Sequence, residues 1–357
     1  HFLIEKMMIN KDDVYFGVKN LLINCAKVKA GDKLLIVSEK ECLGWYRDDA
    51  AKSVRRVAIS LGIFTKIVEV GSPGNQKSNE VETIISNYNC TIFFARLGDQ
   101  NRFEKLKSKS KRVMCYARSI NDLGSLFSRV NHQAMVELKE SINSVFLNSK
   151  KVEVICPHGT YISGEMLKSK FYLNSDVTVK RFPMVVPMPI LASSFSGKVL
   201  LSNYLTSTGS KVYYPNSLKL SELLTISISK GRIGDVFGLE KDVLNFNKHY
   251  DFVSKKFNLD KNAVHSWHAG IHPATSYEKE IDKDPDQWAN TIFGNPHFLH
   301  FHTCGALPPG EICWMIEDPT VKVDNKDLWS AGVLMVAQFN ETKKCLKKWP
   351  ELNQLFV

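Results

Sequence analysis

Helix-periodic and strand-like segments alternate through the first 150 residues of this 357-residue chain, and that order limits the fold more than any other feature. Val14 to Val28 carries apolar residues at helical spacing, Gly31-Asp32 is a turn, and Lys33 to Val37 opens a buried, β-branched strand. The cycle then repeats. Asp49 to Leu61 reads as a helix stopped by Gly62, Thr65 to Val70 as a strand, and Gly71 to Asn75 as a loop. Glu80 to Tyr88 is helical, Cys90 to Ala95 and Arg112 to Tyr116 are strands, and His132 to Leu147 is a further helix. Strands alternating with helices in this way pair in parallel, with helices on both faces. No Gly-x-Gly-x-x-Gly or Gly-x-x-x-x-Gly-Lys phrase follows these strands, so the usual phosphate loop of a nucleotide site is missing.

After Lys150 the pattern changes to strands and irregular segments. Val152 to Cys156, Val177 to Phe182, Lys198 to Leu201 and Leu224 to Lys230 read as strands, with proline-rich Pro183 to Pro189 among them. Leu239 to Phe257 is a strong helix. Gly310 to Ile316, Val321 to Val323 and Gly332 to Phe339 read as strands, and Glu341 to Leu355 as a closing helix. No internal repeat is present. The expected fold class is α/β: an N-terminal parallel α/β sheet domain over 1–150, then a mixed, strand-rich α+β domain over 151–357.

The second domain carries the main clue to function. Six of the ten histidines fall between His265 and His302, in the phrases His265-Ser-Trp-His268-Ala-Gly-Ile-His272-Pro and His297-Phe-Leu-His300-Phe-His302-Thr-Cys-Gly. In an extended segment side chains alternate faces, so His300 and His302 share one, with Phe301 and His297 on the other. His268 and His272 have helical spacing, but Gly270 and Pro273 make a strand-to-loop segment the better reading. Neutral imidazole is the commonest protein ligand for zinc, copper and non-haem iron, and a catalytic metal usually has three protein ligands and an open position. Two ligands from the second phrase, His300 and His302, plus one histidine from the first phrase would fill that requirement. For any single histidine a hydrogen-bonded core role is the competing reading.

The neighbours of these histidines have two readings each. Cys304 is either a metal neighbour or, preferably, a packed thiol. Trp267, Phe298 and Phe301 either wall the pocket or fill the core, the latter preferred. Asp286, Trp288, Asn290, Glu311 and Asp318 lie near the histidines in sequence and either orient imidazoles or serve capping and turns. His158, before Gly159, is a weaker candidate for the same cleft.

Composition narrows the function classes. A hydrophobic content of 44% with 24% charge suits a globular chain, no run of eighteen apolar residues suggests a membrane span, and no cleavable secretory pattern opens the sequence. The eight scattered cysteines lack a Cys-x-x-Cys pair and fit reduced thiols in a cytoplasm. The net charge of +10 includes a basic run from Lys105 to Lys111, read as a solvated face. No aromatic interleaving or recognisable module supports a nucleic-acid partner. The excess charge instead suits steering of an anionic small molecule.

The segment from Asn20 through Asn24-Cys-Ala-Lys-Val-Lys-Ala-Gly-Asp to Val37, the Gly159-Thr160-Tyr161 phrase and the two histidine phrases resemble the superfamily of thermophile-type leucyl aminopeptidases and 2,5-dihydroxypyridine 5,6-dioxygenase. The resemblance covers most of the chain and implies a homodimer. It implies His268 as the third ligand beside His300 and His302, at the place where the peptidases have a carboxylate and the dioxygenase a histidine, with His265 or His272 as an acid/base or orienting group. His300 and His302 match a His-x-Asp pair, with imidazole in place of the acid. The later peptidase glutamate has no counterpart in Pro189-Ile-Leu-Ala-Ser-Ser-Phe, and the peptidase Gly-Thr-Asp reads Gly159-Thr160-Tyr161. A dinuclear site needs several carboxylates to balance two dications, so one metal is expected, Fe(II) first and Zn second. The expected function is a mononuclear non-haem Fe(II) oxygenase of a small aromatic or heteroaromatic substrate. The alternatives are a zinc-dependent aminopeptidase-type hydrolase and a metal-free binding protein on the same scaffold.

Overall fold

The computed structural model describes residues 10–74, 78–100, 108–167, 179–208 and 213–356. Lys105 to Lys107 of the basic run, Asn75 and Val177 lie outside the described residues. The chain packs as two units, His1–Gln133 with Thr178–Pro183, and Ala134–Val177 with Met184–Val357. Residues 134–150, expected in the first domain, thus pack with the second.

The first unit holds a five-stranded sheet in the order Phe64–Val70, Lys33–Glu39, Cys90–Phe94, Lys111–Cys115, Lys180–Phe182, every pair parallel. The unbroken apolar run Leu34-Leu35-Ile36-Val37 is fully buried, as a strand covered on both faces must be. Asp48–Ser60 buries Ala50, Ala51, Val54, Val57 and Ala58 on one helical stripe. Gly62 follows it at φ +75°, a left-handed position that ends the helix without a Cβ penalty.

Two sequence expectations are corrected here. The helix expected over Val14 to Val28 is α-helical over Lys11–Lys19 and then widens to a π-helix over Asn20–Cys25. At that junction the buried Asn20 amide donates to the carbonyl oxygens of Ser128 and Val130 at 2.8 and 2.7 Å. Lys180–Phe182, expected in the second domain, extends the parallel sheet of the first beside Lys111–Cys115.

The second unit contains two antiparallel sheets. The eight-stranded one runs Arg232–Phe237, Leu224–Ser229, Ser196–Leu201, Tyr161–Glu165, Lys151–Ile155, Thr320–Val323, Lys326–Ser330, Val333–Leu334. The strand expected over Gly332 to Phe339 shrinks to Val333–Leu334, because Ala331 and Gly332, both at positive φ, form a tight turn between paired Ser330 and Val333. The closing helix stops at Lys348, since Trp349 precedes Pro350 and leaves the helical region.

The six-stranded sheet runs Ser217–Lys219, Tyr204–Thr206, Glu311–Glu317, Phe298–Cys304, Val264–Ala269, Ile190–Leu191. Trp267, Phe301 and Trp314 lie on one face and are completely or almost completely buried. Phe146 and Phe195 meet Trp267 edge-on, and the Trp314 indole donates to the Tyr250 hydroxyl at 2.7 Å. Residues one step away therefore occupy the opposite face. There the Pro285–Ile292 helix packs Trp288, Ala289 and Ile292 around Met315. Among the described residues, no helix is long and apolar enough to cross a membrane.

Candidate metal centre

Strand register brings the histidines together. Val264–Ala269 pairs with Phe298–Cys304 so that His268 stands opposite His300, and His302 follows on the same face two residues later. Their ring centroids lie 3.8 Å apart for His268 and His300, 4.8 Å for His300 and His302, and 5.2 Å for His268 and His302. One nitrogen from each ring falls within 4.8 Å of the other two. His268 Nε2 and His302 Nε2 are 3.1 Å apart. Donor atoms at that separation suit a single ion, since bonds of about 2 Å from one centre place neighbouring nitrogens slightly more than 3 Å apart. The donor set is all nitrogen, as zinc or ferrous iron accepts.

The next strand supplies a carboxylate. Glu311 Oε1 lies 2.8 Å from His302 Nδ1, and the Thr208 hydroxyl donates to Oε2. The Tyr213 hydroxyl donates to the Glu311 backbone oxygen at 2.9 Å. Burial, followed by the charges of Asp286 and Glu311, pushes the Tyr213 phenol well above its ordinary pKa, so it keeps the proton it donates. Glu311 itself is only 4% exposed.

The Pro285–Ile292 helix roofs this face. Asp284 caps it by accepting the Gln287 N–H at 3.0 Å, with Pro285 in the first turn. Asp286 is buried and accepts the Ser207 hydroxyl at 2.5 Å, while Asn290 donates to the Ser207 carbonyl at 3.2 Å. Both anchor the roof to the sheet. Just past the helix, the Phe293 ring stands edge-on to His300 at 5.7 Å. Gly270 lets the chain pass the loop before the second histidine phrase, because a Cβ there would sit 2.3 Å from the Asn295 oxygen.

Other sequence candidates lie outside the three-imidazole group. His265 Nε2 is 2.9 Å from the Cys304 carbonyl oxygen and so holds the end of the strand that carries His300 and His302. His272 is fully buried, and its backbone N–H donates to Gly294 at 2.8 Å. His297 pairs with Asp318 at 2.5 Å on the exposed surface, and His158 is exposed in a loop. Burial pushes the Cys304 thiol up to about 11, and its sulfur is not among the ligand atoms that converge with the three imidazoles. Trp267 and Phe301 fill the opposite face, while Phe298 packs beside Trp288. Thr208 and Tyr213 were not legible as site residues, because nothing near them in sequence marks their approach to Glu311.

The fold has solved counterparts. One is 2,5-dihydroxypyridine dioxygenase from Pseudomonas putida KT2440, matched over 94% of this chain and 100% of that one with a TM-score of 0.62 and 10% identity. Another is wild-type AmpT from Thermus thermophilus, matched over 91% and 99% with a TM-score of 0.50 and 9% identity. At such identities the likeness is one of fold. No family model matches the sequence, and neither does any curated protein.

Proposed function

We propose that this chain is a mononuclear metal enzyme of the ferrous oxygenase type, acting on a small, anionic aromatic or heteroaromatic substrate. The observation that carries the reading is the convergence of His268, His300 and His302 on one buried sheet face. Ferrous iron in such a cage would supply dioxygen activation and a binding point for a phenolate or carboxylate oxygen. The three-imidazole donor set, which holds no carboxylate to balance and bridge a pair of dications, supports one metal over a two-metal hydrolytic site.

The protein's own contributions follow from its geometry. Paired strands fix the backbone positions from which His268 and His300 project on one face. The roof helix and Phe293 shield His300 from bulk water and offer an aromatic edge beside the ligands. His265 acts through Cys304 by pinning the strand end.

The test is metal content and oxygen uptake. Anaerobically purified protein should contain about one iron per chain, or accept one on reconstitution, as three protein ligands with open positions allow. His300→Ala/His302→Ala should lose that metal while remaining folded. Hydroxylated aromatics should then drive oxygen consumption in the wild type alone. Metal retained by the double variant, or a wild type that takes none, would defeat the assignment. Zinc at full occupancy with peptide cleavage in the absence of oxygen would replace it by a hydrolase.

A further inference from the structure

We propose that Glu311 is a positioning residue that fixes the tautomer and direction of His302 and returns a negative charge to a ligand set made of neutral rings. The inference rests on reading His268, His300 and His302 as ligands. Glu311 is 4% exposed, and both its oxygens are engaged, Oε1 by His302 Nδ1 at 2.8 Å and Oε2 by the Thr208 hydroxyl. Held at both oxygens, the carboxylate cannot turn away from the ring. Among the described residues, the sole basic group within ion-pair distance of Glu311 is His302.

The consequence is specific to one nitrogen. A carboxylate accepts and does not donate, so His302 must present its proton at Nδ1. The neutral ring then keeps its lone pair at Nε2, the atom 3.1 Å from His268 Nε2. Without Glu311, His302 would populate the other tautomer and its Nε2 would carry a hydrogen into the centre. Carboxylates behind metal-bound imidazoles also raise ligand basicity, and losing one typically weakens metal binding about 10–100-fold. The buried carboxylate, for its part, gains a compensating charge when a dication binds to the far side of the ring.

Full-length, metal-free protein titrated with Zn(II) or Co(II) tests the proposal. Glu311→Gln should weaken binding about 10–100-fold, because the amide can donate to Nδ1 and reverse the tautomer. Thr208→Val should weaken it less, leaving the carboxylate held by His302 alone. Nitrogen-15 NMR of the metal-free protein should show His302 protonated at Nδ1 in the wild type and at Nε2 in Glu311→Gln. Unchanged affinity in both variants, or a wild-type His302 protonated at Nε2, would overturn the role of Glu311. If Glu311→Gln does not fold, Thr208→Val and the wild-type spectrum decide the matter. A wild type that binds neither ion would defeat the metal reading itself, whereas normal binding by a folded Glu311→Gln would defeat only this one.

Discussion

Glu39 in the first unit and Glu311 in the second are both buried glutamates, 1% and 4% exposed, but their partners differ in kind. Glu39 faces a permanent cation: Arg96 Nε donates to Oε1 at 2.9 Å, and the Arg96 backbone N–H donates to Oε2 at 2.9 Å. The guanidinium also lies 4.4 Å from the Trp45 ring centre. That pair balances its own charge. Glu311 faces, among the described residues, an imidazole and a hydroxyl, and on the proposed ligand reading a cation on the other side of His302 would balance its charge. A closed pair holds a fold together, whereas on the proposed reading an open one meets a ligand.

Replacing Arg96 opens the closed pair. Arg96→Met keeps most of the side-chain volume but strands Glu39 without its cation, which should cost about 3–5 kcal/mol of stability. Denaturant unfolding measures this. Adding Glu39→Gln should recover most of the loss, because the penalty lies in the uncompensated charge and not in the missing contacts. A loss below about 1 kcal/mol would mean that the pair behaves as a surface ion pair despite its burial.

His249 sharpens the contrast from the imidazole side. It is buried on the Glu240–Phe257 helix, and burial alone lowers its pKa from 6.5 to about 4. The folded-state value lies below the unfolded one, so between pH 6.5 and 4 the unfolded chain takes up a proton that the folded chain refuses. The neutral ring therefore costs nothing above pH 6.5, and stability falls as the pH drops through that window, by up to about 3 kcal/mol. His249→Leu should remove this part of the acid sensitivity. Parallel stability curves for variant and wild type from pH 7 to 4 would show that the ring titrates normally in the fold.

Legibility from sequence followed the range of the interaction. The parallel sheet was readable because Leu34 to Val37 is apolar without interruption, which only a strand covered on both sides requires. The shared face of His300 and His302 was readable from their spacing, a local property of any strand. The place of His268 opposite His300 depends on a register fixed across the whole intervening loop and roof helix. Lys180–Phe182 carries no mark that it returns to the first sheet. Glu311 could be named as a neighbour in sequence, but its approach to His302 Nδ1 required the pairing of Cys304 with Glu311. Thr208 reaches Glu311 across 103 positions of chain, beyond any local signal.

The smallest expected effect comes from a pair with nearly the same chemistry as His302 and Glu311. His297 Nδ1 and Asp318 Oδ1 are 2.5 Å apart, but their side chains are 53% and 47% exposed. Water and salt screen this pair, and exposed ion pairs contribute about 0–1 kcal/mol. Asp318 sits in a turn at φ +48°, and Asn tolerates that conformation, so Asp318→Asn removes the charge without straining the backbone. Its unfolding free energy should stay within about 1 kcal/mol of wild type, and its affinity for Zn(II) or Co(II) should not change. If Asp318→Asn weakened metal binding as much as Glu311→Gln, the effect of Glu311 would belong to any carboxylate–imidazole contact in this unit. An unchanged Asp318→Asn beside a weakened Glu311→Gln would assign it to the buried carboxylate behind a ligand ring.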